Sequence, residues 1–153
     1  MICSNLLQKI KVEFVVQQFI SGGDDSLFTA GLFSYKGTLC AIACGRKIRQ
    51  FPPELGECSF GELLENKTLE KYSKALCTES EITGICQIEF KKHNNEYYLM
   101  EINPRPWSWV SLMTYAGINL PYIAFQTILS ETPPPEPQIA TTKQGRWMYI
   151  TRD

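Results

Sequence analysis

Short apolar and β-branched runs fill the first fifty residues, with turn-forming residues between them. Residues 12–20, Leu27–Tyr35 and 38–50 each have the composition of a β-strand. The connections between these runs are residues 21–26, which contain Gly22-Gly23, and the pair Lys36-Gly37. Connections this short do not allow a crossover, so the pattern predicts consecutive antiparallel strands.

Helical spacing replaces strand alternation further along the chain. Residues 51–60 carry Pro52-Pro53 and Gly56, which predicts a loop. Residues 60–80 then predict one helix or two short ones, whose apolar face comprises Leu63, Leu64, Leu69, Tyr72, Ala75 and Leu76. A second helical region follows residue 107, with a break near residues 117–121, where Asn119-Leu120-Pro121 ends one helix and starts another.

The remaining segments are short. Residues 1–11 predict the last turns of a helix capped by Ser4, as a remnant of a preceding segment. The prolines of residues 133–137 predict an extended linker, and residues 145–153 predict a final strand. At 153 residues the whole chain fits one domain, and the predicted class is α+β, an antiparallel sheet covered by helices.

Composition narrows the function classes. A net charge of −1 without a long basic run argues against a nucleic-acid surface. No apolar run reaches the ~20 residues that a membrane helix needs, so we expect no membrane partner. Six cysteines occur without a CxxC pair in a chain with 44% hydrophobic residues. We therefore expect reduced cysteines packed as small apolar residues, which indicates the cytoplasm.

Residues 84–105 predict a β-hairpin that carries acidic groups on one face. Glu101 and Asn103 are two positions apart in the second strand and therefore share a face. A three-residue loop, Asn94-Asn95-Glu96, would place Glu89 of the first strand on that face as well. Cys86, Ile88, Phe90, Met100 and Ile102 would then face the core.

Two carboxylates and an amide oxygen suit a hard cation, which takes its other ligands from water or phosphate. Left unpaired side by side, the two carboxylates would repel each other, so a cation between them is chemically sensible. Arg105 follows on the same parity and offers a planar fork of donors to a phosphate or carboxylate. The alternative is an ordinary solvated sheet face beside Lys91 and Arg105.

The sequence E-I-N-P-R at Glu101–Arg105, with I-E-F one strand earlier, resembles the metal-binding end of the ATP-grasp superfamily. The resemblance is to carboxylate–amine ligases and carbamoyl-phosphate-synthetase-like members, and to the C-terminal half of their fold. The segment VVQQFISGGDD resembles the linker that binds adenine in that superfamily. The resemblance runs from about Val12 to the C-terminus.

The resemblance implies ATP and Mg²⁺ (or Mn²⁺) as cofactors. It implies that Glu101 bridges two metal ions, with Glu89 on one and Asn103 on the other, and that Arg105 contacts the transferred phosphate. The implied nucleotide-binding residues are Gln17, Gln18 and Ile20 for adenine, Asp24 or Asp25 for ribose, and Arg46, Lys47 or Arg49 for the γ-phosphate or the acid substrate.

The implied reaction joins a carboxylate to an amine or similar nucleophile through an acyl phosphate. An ATP-grasp enzyme also has a subdomain before the adenine segment, so the resemblance implies a missing N-terminal segment, supplied in cis or in trans, and little activity without it. Two alternatives remain open. One is a non-catalytic module that binds a nucleotide or a partner chain, and the other is an α+β interaction domain with solvated acids.

Overall fold

A computed structural model describes residues 15–141 and 144–153, and the described residues form a seven-stranded sheet with helices. The strands are β1 (Leu27–Tyr35), β2 (Thr38–Phe51), β3 (Glu57–Leu64), β4 (Gly84–His93), β5 (Glu96–Asn103), β6 (Gln138–Ile139) and β7 (Arg146–Met148). A 3-10 turn, Asp24–Ser26, precedes β1, and the helices are α1 (Lys67–Glu79), α2 (Ser111–Tyr115) and α3 (Leu120–Ser130).

The sheet is open and almost wholly antiparallel. Its strand order is β5-β4-β1-β2-β3-β7, and β6 makes one short parallel pairing with β2. Strand β1 lies centrally between β2 and β4, with both neighbours antiparallel to it. The predicted α+β class and the predicted antiparallel pairing of β1 with β2 are therefore confirmed.

Each face of the sheet packs a separate hydrophobic core. On one face, Leu32, Ile42 and Ile88 pack with Leu69 and Cys77 of α1. On the other face, Phe33, Ala41 and Ala43 of the sheet pack against the segment that contains Trp107 and Trp109 and against helices α2 and α3. This second core covers only part of its face, and the rest of that face carries the polar residues described below.

Two tryptophans pack on a strip of glycines in the sheet. A Cβ placed on Gly31 would collide with the ring of Trp107 and would lie 2.9 Å from Met113 Sδ. A Cβ on Gly45 would lie 2.8 Å from Cη2 of Trp109, and Gly61 approaches the same ring. The indole rings therefore lie directly on the backbone of β1, β2 and β3, as expected for tryptophans that pack rather than stack on a ligand.

Asparagine side chains cap the starts of α1 and α3. Asn66 Oδ1 accepts hydrogen bonds from Thr68 N and Leu69 N at the start of α1, both at 3.1 Å. Asn119 Oδ1 accepts from Tyr122 N at 3.1 Å at the start of α3, which confirms the predicted break after α2.

Three predicted elements differ from the structure in type or extent. Residues 15–20 have no regular secondary structure, whereas a strand was predicted for 12–20; residues 12–14 and the predicted helix end in 1–11 lie outside the described residues. Residues 57–64 form β3, so the predicted loop ends earlier and Leu63 and Leu64 are strand residues. The predicted final strand is limited to β7, after which the chain turns.

Pairing between strands explains why β3 was predicted wrongly. Hydrogen bonding to β2 keeps 57–64 extended, although its apolar spacing also fits a helix. In α1 the buried residues are Leu69, Ser73 and Cys77, while Tyr72 is exposed, so the buried helix face is narrower than predicted.

The cysteines pack as predicted wherever the structure describes them. Cys40, Cys44, Cys58, Cys77 and Cys86 are free and buried. Burial raises the pKa of the Cys44, Cys58 and Cys86 thiols to about 12. These thiols are therefore protonated core residues at neutral pH. In residues 15–141 and 144–153, the helices are all too short or too polar to cross a membrane.

Candidate functional site

The β4–β5 hairpin brings the acidic residues to one face, but its turn is shorter than the predicted loop. The turn has two residues, Asn94 and Asn95, with φ of 50° and 64°, rather than three. Two-residue turns of this handedness suit the twist of antiparallel strands. The pairing then shifts by one residue between Glu89 and Phe90, so Leu99 and Met100 together oppose Phe90. This β-bulge restores the parity that the longer loop was expected to provide.

The result is a cluster of carboxylate and amide oxygens on one sheet face. Glu89 lies directly opposite Glu101, and Gln87 lies directly opposite Asn103. Directly opposite residues on antiparallel strands share a face, so both carboxylates and the Asn103 amide point the same way. The predicted core residues Cys86, Ile88 and Phe90 are buried on the other face, and Ile102 packs there too. Met100 was predicted to face the core, but it is the extra residue of the bulge and lines the cleft.

These residues line a cleft of about 460 Å³. The β4–β5 side contributes Gln87, Glu89, Glu101 and Asn103, and the opposite wall consists of residues 54–58 and the end of β2. Arg105, Trp107 and Trp109 close the end that adjoins the second core. The polar end of the face is therefore an open concave site beside a rigid aromatic wall.

Lys47 brings a positive charge to the floor of the cleft. Its Nζ donates to Glu89 Oε2 at 2.9 Å and to Gln50 Oε1 at 3.4 Å. Lys47 and Gln50 are only 6% and 7% exposed, so the contacts of the Lys47 ammonium are largely removed from water. The resemblance implied Lys47 only as one of three alternatives, and Gln50 and Gln87 were not predicted.

The donor set fits a divalent cation that also takes ligands from water or phosphate. Asn103 Nδ2 donates to Glu101 Oε1 at 2.7 Å, so Oδ1 is the amide atom that a cation would bind. Among residues 15–141 and 144–153 there is no group of three or more His, Cys, Asp or Glu side chains placed to hold a metal. A cation here would depend on two carboxylates, one amide and non-protein oxygens, which is typical of magnesium.

A narrower groove adjoins the cleft next to the edge strand β5. It has a volume of about 170 Å³ and lies between residues 17–20 and the edge strand β5. Gln17 and Met100 line both spaces, and Gln17 Nε2 donates to Met100 O at 3.1 Å. Gln18 is exposed in the groove and Ile20 is buried beneath it. The groove and the cleft therefore adjoin at Gln17 and Met100.

The two aspartates of the 3-10 turn have different surroundings. Asp24 Oδ1 accepts from Gln50 Nε2 at 2.9 Å and from Glu54 N at 3.0 Å, and Asp24 Oδ2 accepts from Gln50 N at 3.0 Å. Burial raises the pKa of Asp24, but these hydrogen bonds outweigh it and hold the pKa below its ordinary value. Asp25 is exposed.

The basic residues of β2 lie on different faces of the sheet. Arg46 pairs with Glu62 on the face that packs α1, because it is opposite Phe28, whose side chain belongs to that core. Arg49 forms a two-pronged ion pair with Asp153 and stacks over Phe60. Lys47 is therefore the β2 cation that lines the cleft. Arg105, at the cleft edge, is exposed and donates to Pro106 O at 3.2 Å.

A comparison with protein families agrees with this geometry. Residues 32–151, well over half of the chain, match the family described as ATP-grasp in the biosynthetic pathway with Ter operon. The chain belongs to the ATP-grasp family. The matched residues include Lys47, Glu89, Glu101, Asn103 and Arg105. This membership makes the protein a nucleotide-binding, ligase-like ATP-grasp module.

Proposed function

We propose that the protein is the ATP- and magnesium-binding part of a ligase that joins a carboxylate to an amine or a similar nucleophile. In this reaction an oxygen of the carboxylic acid attacks the γ-phosphorus, and the bond to the bridging β–γ oxygen breaks to release ADP. The amine then attacks the acyl carbon of the acyl phosphate, phosphate leaves, and the amine loses a proton. The single observation that carries the proposal is the direct pairing of Glu89 with Glu101, beside Asn103, on the cleft face.

The metal ligands would be Glu89, Glu101 and Asn103. Mg²⁺ or Mn²⁺ held there would neutralise charge on the transferring phosphoryl group. The like charges of Glu89 and Glu101 face each other across two strands, an arrangement that is unfavourable unless a cation intervenes. Lys47 already supplies part of that compensation to Glu89.

Two basic residues are placed to act on anionic groups in the cleft. Lys47 uses two of its three N–H donors on Glu89 and Gln50, so one donor remains for a phosphate oxygen. Arg105 extends from the end of β5 at the cleft edge, where its fork of donors would bind the transferred phosphate or the acyl phosphate. Arg46, on the other face, is not placed to do so.

The nucleotide base would lie in the groove beside β5. Gln17 and Gln18 would bind the adenine amino group, and the Ile20 amide would bond a ring nitrogen. Asp25 or Asp24 would bind the ribose hydroxyls. This placement directs the phosphates from the groove into the cleft, because Gln17 and Met100 line both.

The free, buried cysteines support a cytoplasmic location.

Calorimetric titration of the purified chain with ATP, with and without Mg²⁺, tests this proposal. We expect ATP binding to require Mg²⁺, and Glu101→Gln to weaken Mg²⁺-dependent binding by at least about tenfold, as for loss of a metal-site interaction. The matched control is Glu96→Gln, on the same strand but opposite His93 at the turn. ATP binding that ignores Mg²⁺, or equal effects of the two variants, would contradict the metal assignment.

An assay of ADP release with candidate acids and amines then tests the chemistry. ADP formation that depends on an acid and is lost in Glu101→Gln supports ligation. When the assay is run on the complete gene product, binding without acid-dependent ADP formation supports a non-catalytic nucleotide-binding module instead.

A further inference from the structure

Two adjoining polar side chains are buried in the floor of the cleft although neither belongs to the proposed metal site. Lys47 and Gln50 are 6% and 7% exposed. A charged ammonium and a polar amide are costly to bury unless each finds partners. Their spacing of three also departs from strand alternation, which would bring Lys47 and Arg49 to one face. The pairing of β2 with β3 shifts register on both sides of Arg49, and this irregularity turns Gln50 toward Lys47.

A continuous chain of hydrogen bonds runs through these residues from Asp24 to Glu89. Gln50 Nε2 donates to Asp24 Oδ1 at 2.9 Å, and Gln50 Oε1 accepts from Lys47 Nζ at 3.4 Å. Lys47 Nζ then donates to Glu89 Oε2 at 2.9 Å. Only one direction of donation is possible along these hydrogen bonds. A carboxylate can only accept and an ammonium can only donate, so the Gln50 amide must direct its NH₂ at Asp24 and its oxygen at Lys47.

Asp24 also holds the backbone next to this chain. Its two carboxylate oxygens accept from the backbone N–H groups of Gln50 and Glu54, both at 3.0 Å. Glu54 has a φ of 67° in the loop that forms one wall of the cleft. One carboxylate therefore orients the Gln50 side chain, the end of β2 and the start of that wall.

We propose that Asp24 is a positioning residue that acts through Gln50 to hold the Lys47 ammonium beside Glu89, ready for a phosphate oxygen. The inference rests on the proposed function of the cleft as the phosphate and metal site. It assigns Asp24 to the protein rather than to the nucleotide, and it leaves the ribose hydroxyls to Asp25. The hydrogen bonds that lower the pKa of Asp24 keep it an anion at neutral pH, as this role requires.

Chemical labelling of lysines tests the positioning role without any nucleotide. The full chain is treated with an amine-reactive acylating reagent, and the labelling rate at each lysine is measured by mass spectrometry. We expect Asp24→Ala and Gln50→Met to speed labelling of Lys47 by roughly tenfold, since a lost hydrogen bond to a charged group is worth about one decade. The exposed Lys67 should keep its rate, and Asp25→Ala, one residue away, should not affect Lys47.

An unchanged Lys47 rate in Asp24→Ala would overturn the inference. So would an equal increase at all lysines, because that result would report loosening of the whole fold. If Asp24→Ala is poorly folded, Gln50→Met decides by the same criterion, since methionine keeps the size of glutamine but cannot link Asp24 to Lys47.

A double-mutant cycle on ATP binding in Mg²⁺ provides the second test. Asp24→Ala should weaken binding roughly tenfold in the wild-type background, and should add no further loss when Lys47→Met is already present. Additive losses would overturn the inference, as would weaker binding of adenosine alone by Asp24→Ala, since that would indicate a direct ribose contact. If the wild-type chain binds no ATP, the proposed function fails, whereas the labelling result still decides the role of Asp24.

Discussion

Trp107 belongs both to the second core and to the wall of the cleft. Trp107 is 7% exposed in the second core, yet it also lines the cleft beside Arg105. Its ring can lie there only because residue 31 has no side chain. The rigid end of the cleft therefore depends on Gly31 in the central strand β1, which is far along the chain from the proposed metal ligands.

We expect Gly31→Ala to destabilise the protein by about 1–3 kcal/mol, as for other overpacked cores. The added methyl group would collide with Trp107, which cannot withdraw because it is packed in the core. The measurement is urea unfolding followed by tryptophan fluorescence.

The control for this prediction is Gly23→Ala, since a Cβ there would meet only Asp25 Oδ1 at 3.5 Å. We expect that control to change the stability by no more than about 0.5 kcal/mol. Trp107→Leu should remove most of the effect of Gly31→Ala in a double-mutant cycle. Independent, additive losses would show that the glycine matters for some other reason.

At the level of elements, the β4–β5 hairpin shows how one outcome can arise from two local structures. The side-chain parity of Glu89, Glu101 and Asn103 was predictable, because a solvated acidic face must lie opposite the apolar set of β4. The loop length was not predictable, because a three-residue loop and a two-residue turn followed by a bulge satisfy the same parity. Nothing in the side chains near Met100 marks it as the extra residue.

The turn itself makes a testable prediction. Asn94 and Asn95 both have positive φ, a region that asparagine tolerates and that β-branched residues avoid. We expect Asn95→Gly to leave stability unchanged or to raise it slightly, because glycine adopts this conformation without strain. Asn95→Val should lower stability by about 1–2 kcal/mol.

Chemical denaturation of both variants checks this expectation. Metal-dependent nucleotide binding by Asn95→Gly should match the wild type, because the register of Glu89 with Glu101 is unchanged. Equal stabilities of the valine and glycine variants would show that the turn does not have this conformation in solution.

The elements that the sequence pattern did not predict share a reason. Strand β3 was assigned in part to a helix because its identity depends on pairing with β2, which is a tertiary effect. The place of Lys47 and Gln50 depends on register shifts on both sides of Arg49, which leave no mark in hydrophobic periodicity. Strands β1, β2 and β4 were predictable because their alternation and their turns agree with the fold at every level.

At the level of the whole molecule, residues far apart in the sequence converge on the same part of β2. Asp24, before the first strand, holds Gln50, and Asp153, after the last strand, holds Arg49 and Ser59. Arg152 also pairs with Glu57 at the start of β3, at 3.2 Å. The irregular part of β2, from which Lys47 and Gln50 enter the cleft, is therefore held from both sides.

We expect the contact between Asp153 and Arg49 to make stability depend on pH in a defined direction. Hydrogen bonding to Arg49 is the main cause that lowers the pKa of Asp153 below its ordinary value. A group whose pKa is lowered by folding stabilises the folded state above its unfolded pKa, about 3.9 for aspartate. That stabilisation is lost as the pH falls through the lower pKa of the folded state. The advantage of the wild type over Asp153→Asn should thus be largest near neutral pH and should vanish in stronger acid.

Urea midpoints of the two proteins, compared from pH 7 into the acid range, measure this difference. Added salt at pH 7 should reduce it, because the Arg49 side chain is about half exposed. The matched control is Glu96→Gln at the hairpin turn, far along the sheet from Arg49. Hydrogen exchange gives a local check, since the Tyr149 amide, which bonds Ser59 O at 2.8 Å, should exchange faster in Asp153→Asn while the amides of β4 do not. A wild-type advantage that grew on acidification would show that Asp153 is not held by Arg49, and would remove one of the two supports that place Lys47 in the cleft.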